Sequence, residues 1–126
     1  MLYIGLAGIC GALARFGLSM LWNPGTAGVF PWGTFICNLA GCLLLGFISF
    51  TDRLPIPAKL QLPITTGFIG SFTTFSTFSY ETVYMYKQGH LILALIYVLA
   101  SLWGGLGLTW VGVRIALLSR REAELS

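Results

Sequence analysis

The sequence predicts an all-α membrane protein of four transmembrane helices, with a break in the third. Three observations predict it. Hydrophobic residues make up 56% of the 126 residues and charged residues 9%. The apolar residues fall into four runs, each near the roughly 20 residues that cross about 30 Å of hydrocarbon. The third run alone carries a dense series of hydroxyls, with Gly67 and Gly70 near its middle. A soluble fold of this length has too little interior for so much apolar surface, and the chain is too short for several domains, so residues 1–126 read as one four-helix membrane domain.

The first span runs from residue 2 to about 21, and the turn residues at 22–31 that come after it carry no charge. The N-terminal stretch lacks a basic n-region and a small-residue cleavage site, so this run is expected to stay as a helix and not to be removed as a signal peptide. The second span runs from 33 to about 50, and the loop TDRLPIPAK at 51–59 collects two prolines and three charges at a membrane surface. Residues 60–86 form the third, unusually polar span. Lys87, Gln88, Gly89 and His90 turn the chain into the fourth, from 91 to about 118 and long enough to tilt or break. Arg53, Lys59, Arg114, Arg120 and Arg121 share one side and Lys87 and Arg15 the other, a bias that alone puts both termini in the cytoplasm.

The net charge of +3 does not point to nucleic acid, because the basic residues are scattered among apolar runs and form no patch with stacking aromatics. Cys10, Cys37 and Cys42 have neither CxxC spacing nor a histidine companion, and read as inert small hydrophobes. Ala7/Gly11, Gly8/Ala12, Ala100/Gly104 and Ser101/Gly105 are small residues at four-residue spacing, which lets helices approach closely in lipid. In the fourth span Tyr97, Ser101, Gly105 and Thr109 recur every four residues as one stripe, open to two readings: the wall of a water-filled path, or hydrogen bonding between helices.

The third span is the least ordinary. Thr65, Thr66, Ser71, Thr73, Thr74, Ser76, Thr77, Ser79 and Thr82 place nine hydroxyls in one crossing. A break over residues 67–73 would free backbone groups that are tolerated at membrane depth only where protein or a cavity satisfies them. Glu81 lies one turn beyond Thr77 and shares its face, so the carboxylate either meets a polar pathway or sits wet at the membrane edge. Phe72, Phe75 and Phe78 step by three along one side, a stripe that reads as packing or as ring edges offered to an anion. Asn38 adds an amide with two donors in the second span, and Arg15 lies deep enough in the first that it must either snorkel to the surface or neutralise something. Nothing suggests an enzyme: His90 is in a turn, and there is no Ser/His/Asp set, metal-ligand cluster or phosphate loop.

The segments GALAR (11–15), PWGTFICNLAG (31–41) and TGFIGSFTTFSTFSYE (66–81), in this order and spacing, resemble the CrcB/Fluc fluoride-channel family over essentially the whole chain. The resemblance implies a fluoride-selective channel exporting cytoplasmic fluoride across the inner (plasma) membrane of a prokaryote. It also implies an antiparallel, dual-topology homodimer of four-helix subunits with two pores, and a structural Na⁺ at the dimer centre. Carried over residue by residue, Phe75 and Phe78 match the aromatics of the fluoride pathway, Asn38 the pore asparagine, and Tyr97 and Ser101 the fourth-helix pore positions. Thr77, Glu81 and Thr109 fall on the polar track, Arg15 at the vestibule, and the carbonyls of Gly70 and Thr73 on the Na⁺. Gly105 departs from those members that carry serine there. The resemblance also leaves room for a heterodimer with a paired homologue. The competing class is a small proton-coupled multidrug exporter of similar length, but that class needs a carboxylate in the first helix, where this chain has none.

Overall fold

The computed structural model describes residues 1–22, 29–51 and 56–124, with side chains described through residue 119, and every regular element among them is helical. Helix α1 spans Leu2–Trp22 and α2 spans Trp32–Phe50. The third span starts as the short α3, Ala58–Leu62, widens into a π-helical stretch over Pro63–Ile69, and ends its first half with the turn Gly70–Phe72. After an interruption, α4 covers Phe75–Lys87 and α5 covers Leu91–Glu124. Three stretches, Leu2–Trp22, Trp32–Phe50 and Leu91–Ser119, are continuous helices long and apolar enough to cross a membrane. The remaining expected span, 60–86, is the bent one. Arg53, one of the basic residues expected to set orientation, lies outside the described residues, as do the side chains of Arg120 and Arg121.

The break falls at the far end of the expected window of 67–73 and one residue past it. Gly67 lies inside the π-helical stretch and Gly70 keeps helical angles, φ −63° and ψ −30°. The chain instead becomes extended at Thr73 (φ −82°, ψ 155°) and Thr74 (φ −148°, ψ 120°). Two local causes explain the shape. Pro63 lacks the N–H that would close an ordinary turn, which favours the wider helix that begins there. Beyond it, extended backbone at 73–74 is stabilised by the Asn38 amide and by the threonine hydroxyls themselves, which glycine could not supply.

Backbones meet directly along two seams. On the first, α1 lies against the first half of the third span. A Cβ on Gly11 would run into the Phe68 carbonyl, and one on Gly67 would stand 2.6 Å from the Ile4 carbonyl oxygen. On the second, α2 lies along α5 in the most extensive helix contact of the molecule. There a Cβ on Gly46 would collide with the Thr109 carbonyl, and one on Gly112 with the Leu43 carbonyl. Lipid tails are as apolar as leucine, so helices associate through such close van der Waals contact and not through hydrophobic exclusion. Outward faces are accordingly apolar: Leu99, Trp103, Leu106 and Trp110 of α5 are all exposed.

The two seams yield a direct test. Gly46→Ala and Gly112→Ala should each lower the unfolding temperature of the detergent-solubilised protein, overpacking of this kind costing about 1–3 kcal/mol. Gly17→Ala, with open space around the new methyl group, should be neutral or slightly stabilising, as alanine is the better helix former. Equal unfolding temperatures for all three variants would remove the seams from the account of packing.

Candidate functional site

Asn38 stands near the middle of α2 and faces the interruption. Its Nδ2 donates to the Thr74 carbonyl at 3.1 Å, and the Thr74 N–H donates to its Oδ1 at 2.8 Å. The side-chain amide thus takes the place of a neighbouring peptide. Thr74 also caps α4: its Oγ1 accepts from the Thr77 N–H at 3.2 Å and donates to the Thr77 hydroxyl at 3.0 Å. Ser76 Oγ lies within hydrogen-bond distance of Thr74 Oγ1, at 3.3 Å. In a continuous helix the Thr74 and Thr77 N–H groups would bond the carbonyls of Gly70 and Thr73. Here both donors are redirected to Asn38 and Thr74 Oγ1, so those two carbonyls lose their helical partners.

One helical turn along each element lies a second polar cluster. The Glu81 carboxylate of α4 accepts from Thr34 Oγ1 of α2 at 2.8 Å on one oxygen and from the Tyr97 hydroxyl of α5 at 2.9 Å on the other. Hydroxyl donors are the partners a carboxylate needs in a low-dielectric setting, where leaving its charge unsolvated is costly. Tyr97 is fully buried, in an aromatic box. Phe78 lies 5.0 Å from its ring, Phe30 5.3 Å and Phe35 6.2 Å, centroid to centroid. The box fixes the phenol so that its O–H reaches Glu81.

The remaining candidates are dispersed. Ser101 lies one turn beyond Tyr97 on α5, and its Oγ is buried with no hydrogen-bond partner among the described residues. A buried donor of this kind ordinarily has a partner, so a ligand at this point is chemically reasonable. Thr109 turns back to the Gly105 carbonyl at 2.9 Å. Arg15 reaches the broken span, its Nε donating to the Ser71 carbonyl at 3.3 Å. The three phenylalanines separate into two roles. Phe72 is buried and stacked on Phe68 at 5.9 Å, whereas Phe75 is 80% exposed and leans on Phe78 at 5.8 Å. The fourth-helix stripe therefore divides too: Tyr97 bonds across helices, Thr109 bonds within its own, and Ser101 bonds to neither.

The structure adds Thr34 and the Tyr97 box to the residues that the sequence singles out. Thr34 is legible in principle, since it precedes Asn38 by four positions and so shares its face of α2. The box is not, because Phe30 and Phe35 look like ordinary apolar residues until the fold brings them to Tyr97. Among the described residues no cluster of histidine, cysteine and carboxylate side chains is placed to hold a metal.

Against known proteins, residues 2–113 match the family described as CrcB-like protein, Camphor Resistance (CrcB). A protein of Geobacillus kaustophilus named Fluoride-specific ion channel FluC 2 is 43% identical over 123 residues, covering 96% of this chain and 95% of its own length. One of Moorella thermoacetica named Fluoride-specific ion channel FluC 1 is 44% identical over 127 residues, with 99% and 91% covered. Moorella also has a FluC 2, 47% identical over 111 residues, covering 88% of this chain and 91% of that one.

Proposed function

Because the chain belongs to the CrcB-like family, we propose that it is a passive, fluoride-selective ion channel and not an enzyme. The observation that carries the reading is the Ser101 hydroxyl, buried without a partner among the described residues and one turn from Tyr97. Fluoride is small and strongly hydrated, so a conducting path needs donors to replace its water at several sites weak enough to release it. Ser101, the second N–H of the Asn38 amide, the Thr77 hydroxyl and the positive edges of Phe75 and Phe78 supply such donors, with Tyr97, whose own proton goes to Glu81, and with Glu81 and Thr109 further along the track. Arg15 attracts the anion toward one mouth. A narrow path excludes chloride by size, and a passive one lets fluoride leave the cytoplasm down its own gradient. The bacterial relatives support placement in the inner (plasma) membrane of a prokaryote.

The working unit in this reading is an antiparallel, dual-topology homodimer with two pores and a shared structural Na⁺. Phe75 is 80% exposed on a single subunit, so a ring that lines a path needs a second wall. Gly70, beside the interruption, has open space where a side chain would stand. The carbonyls of Gly70 and Thr73, deprived of helical donors, are hard oxygen ligands suited to Na⁺, and they fit a site shared across the two subunits. Once bound there, the ion supplies fixed positive charge that favours anions nearby.

Fluoride efflux from proteoliposomes checks the reading. Wild-type protein should pass fluoride without a proton gradient, and Phe75→Ile and Phe78→Ile should each reduce flux by orders of magnitude while still migrating as folded protein on size exclusion. The same swap at the buried Phe72 should mainly cost stability, roughly 1 kcal/mol or more. Normal flux through folded Phe75→Ile and Phe78→Ile proteins removes the rings from the mechanism.

A large organic cation substituted for Na⁺ on both sides should slow or abolish the same flux. Flux that survives exhaustive Na⁺ removal counts against the carbonyl site.

Single cysteines in the 51–59 loop, in a background lacking Cys10, Cys37 and Cys42, should be labelled from both sides of the membrane. Labelling from one side only points instead to a heterodimer with a paired homologue.

A further inference from the structure

We infer that Thr34 is a positioning residue of the channel, which holds the Glu81 carboxylate off the anion path. The inference rests on the reading of Glu81 as part of the fluoride route. A carboxylate beside such a route is a hazard to it, because its oxygens compete with fluoride for the very donors that replace the ion's water. The conflict disappears only if both oxygens are kept engaged elsewhere. Tyr97 engages Oε2 at 2.9 Å and Thr34 engages Oε1 at 2.8 Å.

The two donors are not equally constrained. The Tyr97 ring is fully buried and held by Phe30, Phe35 and Phe78. Its hydroxyl therefore stays in place whatever Glu81 does. Thr34 is 3% exposed, and in the first turn of α2 its Oγ1 is the donor that decides where the second carboxylate oxygen points. Without it, Oε1 is free to turn toward the hydroxyl of Thr77, one turn earlier on the same face of α4. That hydroxyl already belongs to the Asn38 and Thr74 cluster. A carboxylate bonded there would occupy the donors meant for the permeating anion. Thr34 has no need to touch fluoride to exert this effect.

The test is a double-substitution cycle read by fluoride efflux from proteoliposomes. Valine matches threonine in shape and lacks only the hydroxyl. Thr34→Val should reduce flux about tenfold or more, the factor associated with losing a hydrogen bond to a charged group. Thr34→Ser should restore most of it. In a Glu81→Gln background, where no free carboxylate remains, adding Thr34→Val should change flux less than about twofold, as residues that act through one another are non-additive. Size exclusion and thermal unfolding of each variant separate a folding defect from a flux defect. A Thr34→Val loss that persists undiminished in the Glu81→Gln background, or one matched by Thr34→Ser, overturns the positioning role while leaving Glu81 on the route. Wild-type flux in both Thr34→Val and Glu81→Gln overturns the placement of Glu81 itself, and the inference with it.

Discussion

The structure depends on one side chain imitating a peptide. Extended backbone cannot face hydrocarbon, because each unpaired N–H or C=O costs several kcal/mol there, on the order of the penalty for burying a lone amide. The interruption at Thr73 and Thr74 survives because Asn38 offers an amide donor and an amide acceptor to one residue, Thr74, at 3.1 and 2.8 Å. A carboxylate has no proton to donate, and a hydroxyl would have to serve both backbone groups from a single oxygen. The clamp also sets the register of α4. Thr74, held in place, caps that helix through Thr77, so its first residue is Phe75. Moving that start by one residue would rotate every later side chain by about 100° and carry Glu81 away from Thr34.

From this clamp the polar architecture is built as two rungs. Asn38 and Thr34 lie four residues apart on α2, and Thr77 and Glu81 lie four apart on α4. The helices run antiparallel, so Asn38 meets the start of α4 and Thr34 meets Glu81 one turn further on. Glycine seams make the rungs reachable. With α2 and α5 in backbone contact at Gly46 and Gly112, Tyr97 of α5 comes close enough to bond the same carboxylate. A larger residue in that seam would first meet the Thr109 or Leu43 carbonyl and force α2 and α5 apart there.

Much of this is legible in the sequence, and the reasons are specific. Long apolar runs at fixed spacing show α1, α2 and α5 directly, since the thickness of the hydrocarbon sets their length. A hydroxyl-rich run with glycines signals that the third span cannot be a plain helix. The glycines put the break too early, however, because glycine suggests flexibility while the actual partner, Asn38, is 36 positions away in sequence. Gly67 serves instead to admit the Ile4 carbonyl. Arg15 reads as a residue of the vestibule, and the structure adds its bond to the Ser71 carbonyl, a partner with no side-chain signature. The Tyr97 box is hidden for a similar reason, since nothing in FPWGTF distinguishes rings that face lipid from rings that face a tyrosine.

The same contacts show how few donors remain free along α5. Tyr97 donates its proton to Glu81, and Thr109 donates its own to the Gly105 carbonyl. Between them, at the position where some family members carry serine, this chain has Gly105. A Cβ there would stand 3.3 Å from Cys42 Sγ, tighter than ordinary contact, so the thiol fills much of the space a hydroxymethyl group would need. Cys42 and Gly105 are therefore matched, and the row of hydroxyls is one member shorter. Ser101 becomes the one hydroxyl of the α5 stripe not already bonded among the described residues. Within the proposed channel, the α5 stripe then offers a single unbonded hydroxyl, that of Ser101, where a serine at 105 would add a second.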